Sequence, residues 1–221
     1  MTGARKLLLL GGGGHAAVVA ESARAAGWSV AEYLDDDPST EVASTEVGLV
    51  RAGALDDLAG IAETAEPPAV HAAIGDPQWR EIWSDRAARL GLDIATIIDP
   101  TATVSPSATI DEGVFIAPQA VINARARIGR GSIINTFAII EHDCDIGDFC
   151  HVAPRAVLCG GAAVGPGSLI GAGAIVGPNV TIGCRVTLGA GAVATTDMDD
   201  DCVAVGVPAR PLKRLSPQAR D

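Results

Sequence analysis

The chain of 221 residues is poor in aromatic side chains, with three Phe, three Trp and one Tyr. An aromatic core is excluded, and the interior must be filled by aliphatic residues, which a 48% hydrophobic content supplies. Basic residues are also scarce, 16 against 27 acidic ones, for a net charge of −11. Nucleic-acid polymers and anionic membrane surfaces select basic patches, so neither is an expected partner. Small anionic ligands stay open, because backbone amides at a helix N-terminus hold phosphate without net positive charge. No run of eighteen apolar residues occurs, so no membrane insertion is expected. The basic start and leucine run of Met1 to Leu10 mimic a leader, but only four leucines precede Gly11, too few for its apolar region. A cytoplasmic protein is the expectation. The five cysteines are odd in number and form no C-x-x-C pair, which argues against a disulfide or metal framework. Cys144 and Cys150 read as small buried hydrophobes.

What the chain does have is a period of six. From Ile98 to Leu188, sixteen consecutive sixth positions are aliphatic, and four residues after each stands something small or β-branched, such as Ala102, Val114, Ser132, Ala138, Cys144 and Cys150. Six fits neither an α-helix nor a continuous strand; it fits short strands joined by tight turns that wind into a solenoid. Three hexads make a triangular coil of eighteen residues, each rung burying its aliphatic residue on the rung below.

Before the repeat, Lys6 to Leu10 reads as a strand, Gly11 to Gly14 and His15 as a glycine turn, and Ala16 to Ala26 as a helix. Val30 to Leu34 is a second strand ending in Asp35, Asp36 and Asp37. Leu55 to Ala62 and Gln78 to Leu90 look helical. Ala69 to Ile74 is a third strand stopping at Gly75, and Ile94 to Ile98 supplies the last. The division expected is a Rossmann-like parallel α/β domain over 1–97 followed by a parallel β-helix over 98–221. In such sheets ligands bind at the carboxyl ends of the strands, where Gly12, Gly13, Gly14, His15, Asp35, Asp36 and Gly75 fall. About 95 residues is half a dinucleotide domain, which favours a mononucleotide-type site over a nicotinamide cofactor. His15 alone reads equally as a helix cap or a solvated residue.

His142 and His151 are the two histidines of the repeat, too few for a three-histidine zinc site of the carbonic-anhydrase-like β-helix proteins. His142 stands between Glu141 and Asp143, and an imidazole held by a neighbouring carboxylate is a suitable general base, though on sequence physics alone a solvated surface histidine reads equally well. Eighteen residues on, Gly160 should lie one rung above it, its N–H free to stabilise an oxyanion. His151 lies half a coil from His142, so the two could converge only across a subunit boundary, most simply in a trimer. Pro154, Ala172, Ala190 and Pro208, spaced by eighteen, should form a smooth groove for an extended cofactor arm. Arg210, Lys213 and Arg214 form the one basic cluster, a candidate phosphate partner or a solvated tail.

Taken together, the hexads, Gly11 to His15, Asp35–Asp36, Ile74–Gly75, Asp99 to Ala102, Asn135–Thr136, Ile140 to Gly147, His151–Val152 and Val205 to Arg210 resemble the bacterial nucleotide-amino-sugar N-acetyltransferases and related sialic-acid O-acetyltransferases. The resemblance implies a left-handed coil, acetyl-CoA as co-substrate, His142 as general base and Asp143 as its orienting acid. It also implies acetyl-CoA contacts at His151, Gly160, Ala172 and Ala190, and a sugar nucleotide received by the glycine turn, Asp35, Asp36, Gly75 and Asn135. Three positions depart from the family's pattern: Asp143 where Glu is common, Asp37–Pro38 where a basic residue follows the acids, and Asp76–Pro77 where Asn-Asn is usual. The last two bear on which nucleotide and sugar are recognised. O-acetylation of a sugar hydroxyl, or a non-catalytic nucleotide-binding scaffold, are the competing readings.

Overall fold

The computed structural model describes residues 4–40 and 47–214. The first three residues of the leader-like start and the last seven of the 98–221 segment lie outside the described residues.

The N-terminal half is built from β1 (Lys6–Leu10), α1 (Gly14–Ala25), β2 (Ser29–Leu34), β3 (Val50–Gly53), α2 (Leu58–Ala62), β4 (Ala69–Ala72) and α3 (Pro77–Arg89). Its sheet is parallel in the order β3-β2-β1-β4. β1 and β4 are apolar at nearly every position because helices cover both faces. β3 carries no such signal and was not expected: an edge strand of four part-exposed residues needs no apolar pattern.

The expected strand from Ile94 to Ile98 is divided in two. Ile94 bridges Val70 of β4, after which the chain changes partners and β5 (Ile97–Ile98) pairs with β8 (Phe115–Ile116) of the coil that follows. The strand is thus a hand-over between two sheets.

From β5 onward a two-residue strand recurs every six residues as far as β21 (Val193–Ala194), and the strands stack into three parallel sheets, the faces of a left-handed β-helix. Register is strict: Ile133 pairs with His151 and His151 with Leu169, eighteen residues each time. The aliphatic and small columns form one buried cluster running from Val114 to Ala209. At the corners from Gly113 to Gly191, the third residue after each inward aliphatic has left-handed backbone, and eight of these residues are not glycine, Arg125 (φ 60°) and Asp143 (φ 61°) among them.

The final coil breaks the arithmetic. Ile182 bridges Met198 and Thr187 pairs with Val203, sixteen residues on, because the turn after β21 is two residues short. Ala190 is therefore followed in register by Gly206. Pro208 does not continue the column of Pro154, Ala172 and Ala190, and sits instead in the turn between β22 (Cys202–Gly206) and β23 (Ala209–Arg214).

The α/β half docks on the first coils of the eight-stranded face, where Leu7, Val19 and Tyr33 share a buried cluster with Phe115, Ala117 and Ile133. Arg80 of α3, 1% exposed, locks the junction: its guanidinium donates to the carbonyls of Ile74 and Gly75 on one side and of Gly131, Phe149 and Cys150 on the other. Burial pulls Arg80 down to about 10, so the cation stays charged near neutrality and is satisfied by carbonyls alone.

Candidate active site

The corner between the six-stranded and five-stranded faces carries the densest chemistry. β12 (Ile139–Ile140) ends one face, β13 (Asp145–Ile146) begins the next, and His142 and Asp143 form the turn between them. The left-handed backbone at Asp143 turns its carboxylate back, so that Oδ2 lies 2.7 Å from His142 Nδ1. The carboxylate is also gripped by Arg125. That ion pair, with the His142 contact second, holds Asp143 well below the usual carboxylate range, so it is an anion at any working pH. An anion at Nδ1 fixes the proton there and leaves Nε2 with a lone pair.

One coil up stands Gly160. A Cβ built on it would lie 2.7 Å from both Cε1 and Nε2 of His142, so nothing larger than glycine fits over the ring. The carbonyl of Gly160 accepts from Asn179, and its N–H has no partner among the described residues. A basic nitrogen and a free backbone donor thus share one corner. The inward-column thiols are no rival nucleophiles: burial raises Cys144 to about 11 and Cys150 to about 12.

A second cluster lies under the α/β half. His15, at the start of α1, is packed edge-on to Phe115 at 5.5 Å, and its buried Nε2 has no hydrogen-bond partner among the described residues. Burial, with repulsion from His71, His151 and Arg80, lowers it to about 3. Neither the cap nor the solvated position expected for His15 is what the fold provides. His71 donates Nδ1–H to Ala95 O at 2.9 Å, and its burial lowers it to about 4. His151 Nε2 lies 3.0 Å from Asn135 Nδ2, which as an amide donor makes Nε2 the acceptor, and burial lowers His151 to about 4. Asn135 Oδ1 meanwhile accepts from Thr136 N. His15, His151 and Asn135 therefore converge on the junction, neutral and close to the glycine turn.

The glycine turn lies at the crevice between β1 and β4, where the sheet order reverses. Gly12 is required by packing, since its Cβ would fall 2.1 Å from Tyr33 Cε2, whereas Gly13 and Gly14 have nothing within 4 Å. α1 starts there with no side-chain cap and no acid in its first turn, which leaves amide donors open to an anion. α3 is the opposite case. Asp76 caps it by accepting from Gln78 N and Trp79 N, with Pro77 in the first turn. The departure Asp76–Pro77 is thus occupied with starting a helix. Asp35 accepts from Gly12 N and Asp37 N, Asp36 accepts from Leu55 N through Oδ1, and Arg51 of β3 donates twice to the Asp35 carbonyl.

Pro154, Ala172 and Ala190 are exposed and stacked, with Gly173 N bonding Pro154 O and Gly191 N bonding Ala172 O. They lie on the corner between the eight-stranded and six-stranded faces, a different edge of the prism from His142. Among the described residues, no group of three or more His, Cys, Asp or Glu is placed to hold a metal ion. Nor is any helix there long and apolar enough to cross a membrane. Arg80, Arg125 and Arg51 were not anticipated from the sequence. Only Arg125 had a signal, its place eighteen residues before Asp143.

Comparison with known proteins fits this geometry. Residues 6–87 match the PglD N-terminal domain family and 125–160 the bacterial transferase hexapeptide (six repeats) family. A GDP-perosamine N-acetyltransferase of Escherichia coli O157:H7 is 32% identical over 92 residues, a match spanning 42% of this chain and 41% of that relative. A histidine-to-asparagine mutant of the perosamine N-acetyltransferase from Caulobacter crescentus, solved with CoA and GDP-perosamine, superposes with a TM-score of 0.89 at 38% identity, covering 96% of this chain and 98% of that one. The acetyltransferase domain of PglB from Neisseria gonorrhoeae FA1090, in complex with acetyl coenzyme A, gives a TM-score of 0.88 at 37% identity over 95% and 100% of the two chains.

Proposed function

The chain belongs to the hexapeptide-repeat N-acetyltransferase family of the perosamine and PglB type, and from that we propose that it moves the acetyl group of acetyl-CoA to the amine of a nucleotide-linked amino sugar. GDP-linked amino sugars are the acceptors to try first. The observation that carries the reading is the corner where Asp143 holds His142 Nδ1 while Gly160 leaves the other side of the ring clear.

In this reaction the neutral amine attacks the thioester carbonyl and His142 Nε2 takes the proton released from nitrogen. The Gly160 N–H donates to the oxygen that becomes negative, the tetrahedral adduct collapses, and the departing thiolate recovers the proton from the imidazolium. The transfer is direct, without an acyl-enzyme, the base acting on the amine itself; the inward-column thiols of Cys144 and Cys150 are buried and held protonated. The uncapped start of α1 receives the diphosphate, and His15, Asn135 and His151 at the junction face the sugar. The free oxygen of Asp36 faces the nucleotide.

Ala172 and Ala190 serve as the groove for acetyl-CoA, with Pro208 near its far end. Because that groove and His142 occupy different edges, we assign the active site to the boundary between neighbouring copies in a closed trimer. The enzyme works in the cytoplasm, where acetyl-CoA is available.

Thiol release from acetyl-CoA, measured against GDP-, UDP- and dTDP-linked amino sugars and free sialic acid, tests the reading. The five cysteines require a control without acceptor. Acceptor-dependent release with one amino sugar supports it. Turnover on sialic acid alone moves the reaction to O-acetylation, and silence without acetyl-CoA binding leaves only a scaffold.

A further inference from the structure

Directly beneath Asp143, one coil down, Arg125 Nε lies 2.6 Å from Asp143 Oδ1 and Nη2 lies 2.8 Å from Oδ2. We propose that Arg125 is a positioning residue for the base, clamping the Asp143 carboxylate in the one orientation from which Oδ2 accepts the His142 Nδ1 proton; the inference rests on the acetyl-transfer reading above.

Three observations carry it. A two-point guanidinium grip removes the rotational freedom a lone carboxylate would have, and Oδ2 still has a lone pair for the imidazole at 2.7 Å. The backbone is pinned on both rungs, with Asp143 N bonded to Ala124 O at 3.0 Å and Arg125 N to Ser107 Oγ at 3.1 Å, so the pair cannot drift. The other acid beside His142 is engaged elsewhere: Glu141 accepts from Asn123 Nδ2 at 3.1 Å. Asp143 is one methylene shorter than the glutamate common in the family, and its left-handed backbone together with this clamp offsets the lost reach.

The pair is exposed, Arg125 by 65% and Asp143 by 44%, and exposed ion pairs contribute little to stability. Loss of Arg125 should thus leave the fold standing and act on turnover. The molecule has its own control. Arg185 grips Asp201 in the same two-point fashion, at 2.6 and 2.7 Å, on a corner with no histidine.

The test compares Arg125→Gln, Arg125→Lys and Arg185→Gln, alone and, for Arg125→Gln, in an Asp143→Asn background. Arg125→Gln should lower kcat about 5- to 30-fold with the KM for acetyl-CoA within about twofold, Arg125→Lys, which keeps the charge but not the two-point grip, should recover only part of the loss, and Arg185→Gln should match the wild type. On Asp143→Asn, Arg125→Gln should change kcat by less than about twofold, because its only route to the base is gone. A kcat within about twofold of wild type for Arg125→Gln, or an undiminished loss on Asp143→Asn, overturns the proposal. If His142→Ala is also fully active, the base assignment itself has failed; if His142→Ala is inactive, the error is confined to Arg125.

Discussion

His142 and Gly160 stand on successive coils so closely that a methyl group on Gly160 would overlap the imidazole, 2.7 Å from both Cε1 and Nε2. The contact lies on an exposed corner outside the buried columns, so the fold does not depend on it. Gly160→Ala is therefore expected to keep its thermal midpoint within a few degrees and to lose about 100-fold or more in kcat, read by acceptor-dependent thiol release.

Asp143→Asn keeps the shape of the side chain but presents either an amide donor or a neutral oxygen to Nδ1, so the tautomer with a basic Nε2 is no longer enforced. A fall in kcat of about 10- to 100-fold is expected, with acetyl-CoA binding by calorimetry unchanged. A weakened acetyl-CoA affinity would instead give Asp143 a binding role.

Acid should loosen the domain junction. His15, His71 and His151 are held neutral, at about 3, 4 and 4, whereas in the unfolded chain each takes a proton near the ordinary value of 6.5. Between those limits the unfolded state binds more protons, so stability rises with pH; it falls as the pH drops from about 6.5 towards 4. Urea titrations at pH 7 and 5 should show a lower midpoint at pH 5, with uptake of about two to three protons on unfolding. A midpoint unchanged over this range would mean that the three imidazoles are not buried as described.

Arg80 supports both halves through five backbone carbonyls. Replacing it with Met keeps the volume but leaves those acceptors unpaired, an expected cost of about 2–4 kcal/mol in urea unfolding. An unaltered unfolding midpoint would show that water replaces the guanidinium at no cost.

If His142 and the Ala172–Ala190 groove of neighbouring copies form one site, two inactive variants should rescue each other. Co-refolding His142→Ala with Ala190→Arg at equal amounts should restore about one quarter of wild-type activity, the share of interfaces with both parts intact. No recovery would put the whole site on a single chain.

How much of this was legible in the sequence depended on the range of the interaction. The coil could be read from its period because each residue contacts those eighteen away, and the same arithmetic brought Gly160 over His142. Carried one coil the other way it reaches Arg125, a step the sequence reading did not take. It failed at Pro208, where two residues missing from the turn after Ala194 shift the register. The meeting of His15 with His151, and the insertion of Arg80 between the halves, had no local signature at all: both arise from how one domain docks on the other, over separations of 51 to 70 residues for the Arg80 contacts on the β-helix. β3 escaped because an edge strand needs no pattern.

With acetyl-CoA and the best amino-sugar nucleotide as substrates, His142→Ala should lose about 10²- to 10⁴-fold in kcat while its acetyl-CoA dissociation constant, measured by calorimetry, stays within about twofold. A loss of less than about tenfold in kcat would contradict the account and remove His142 as the base.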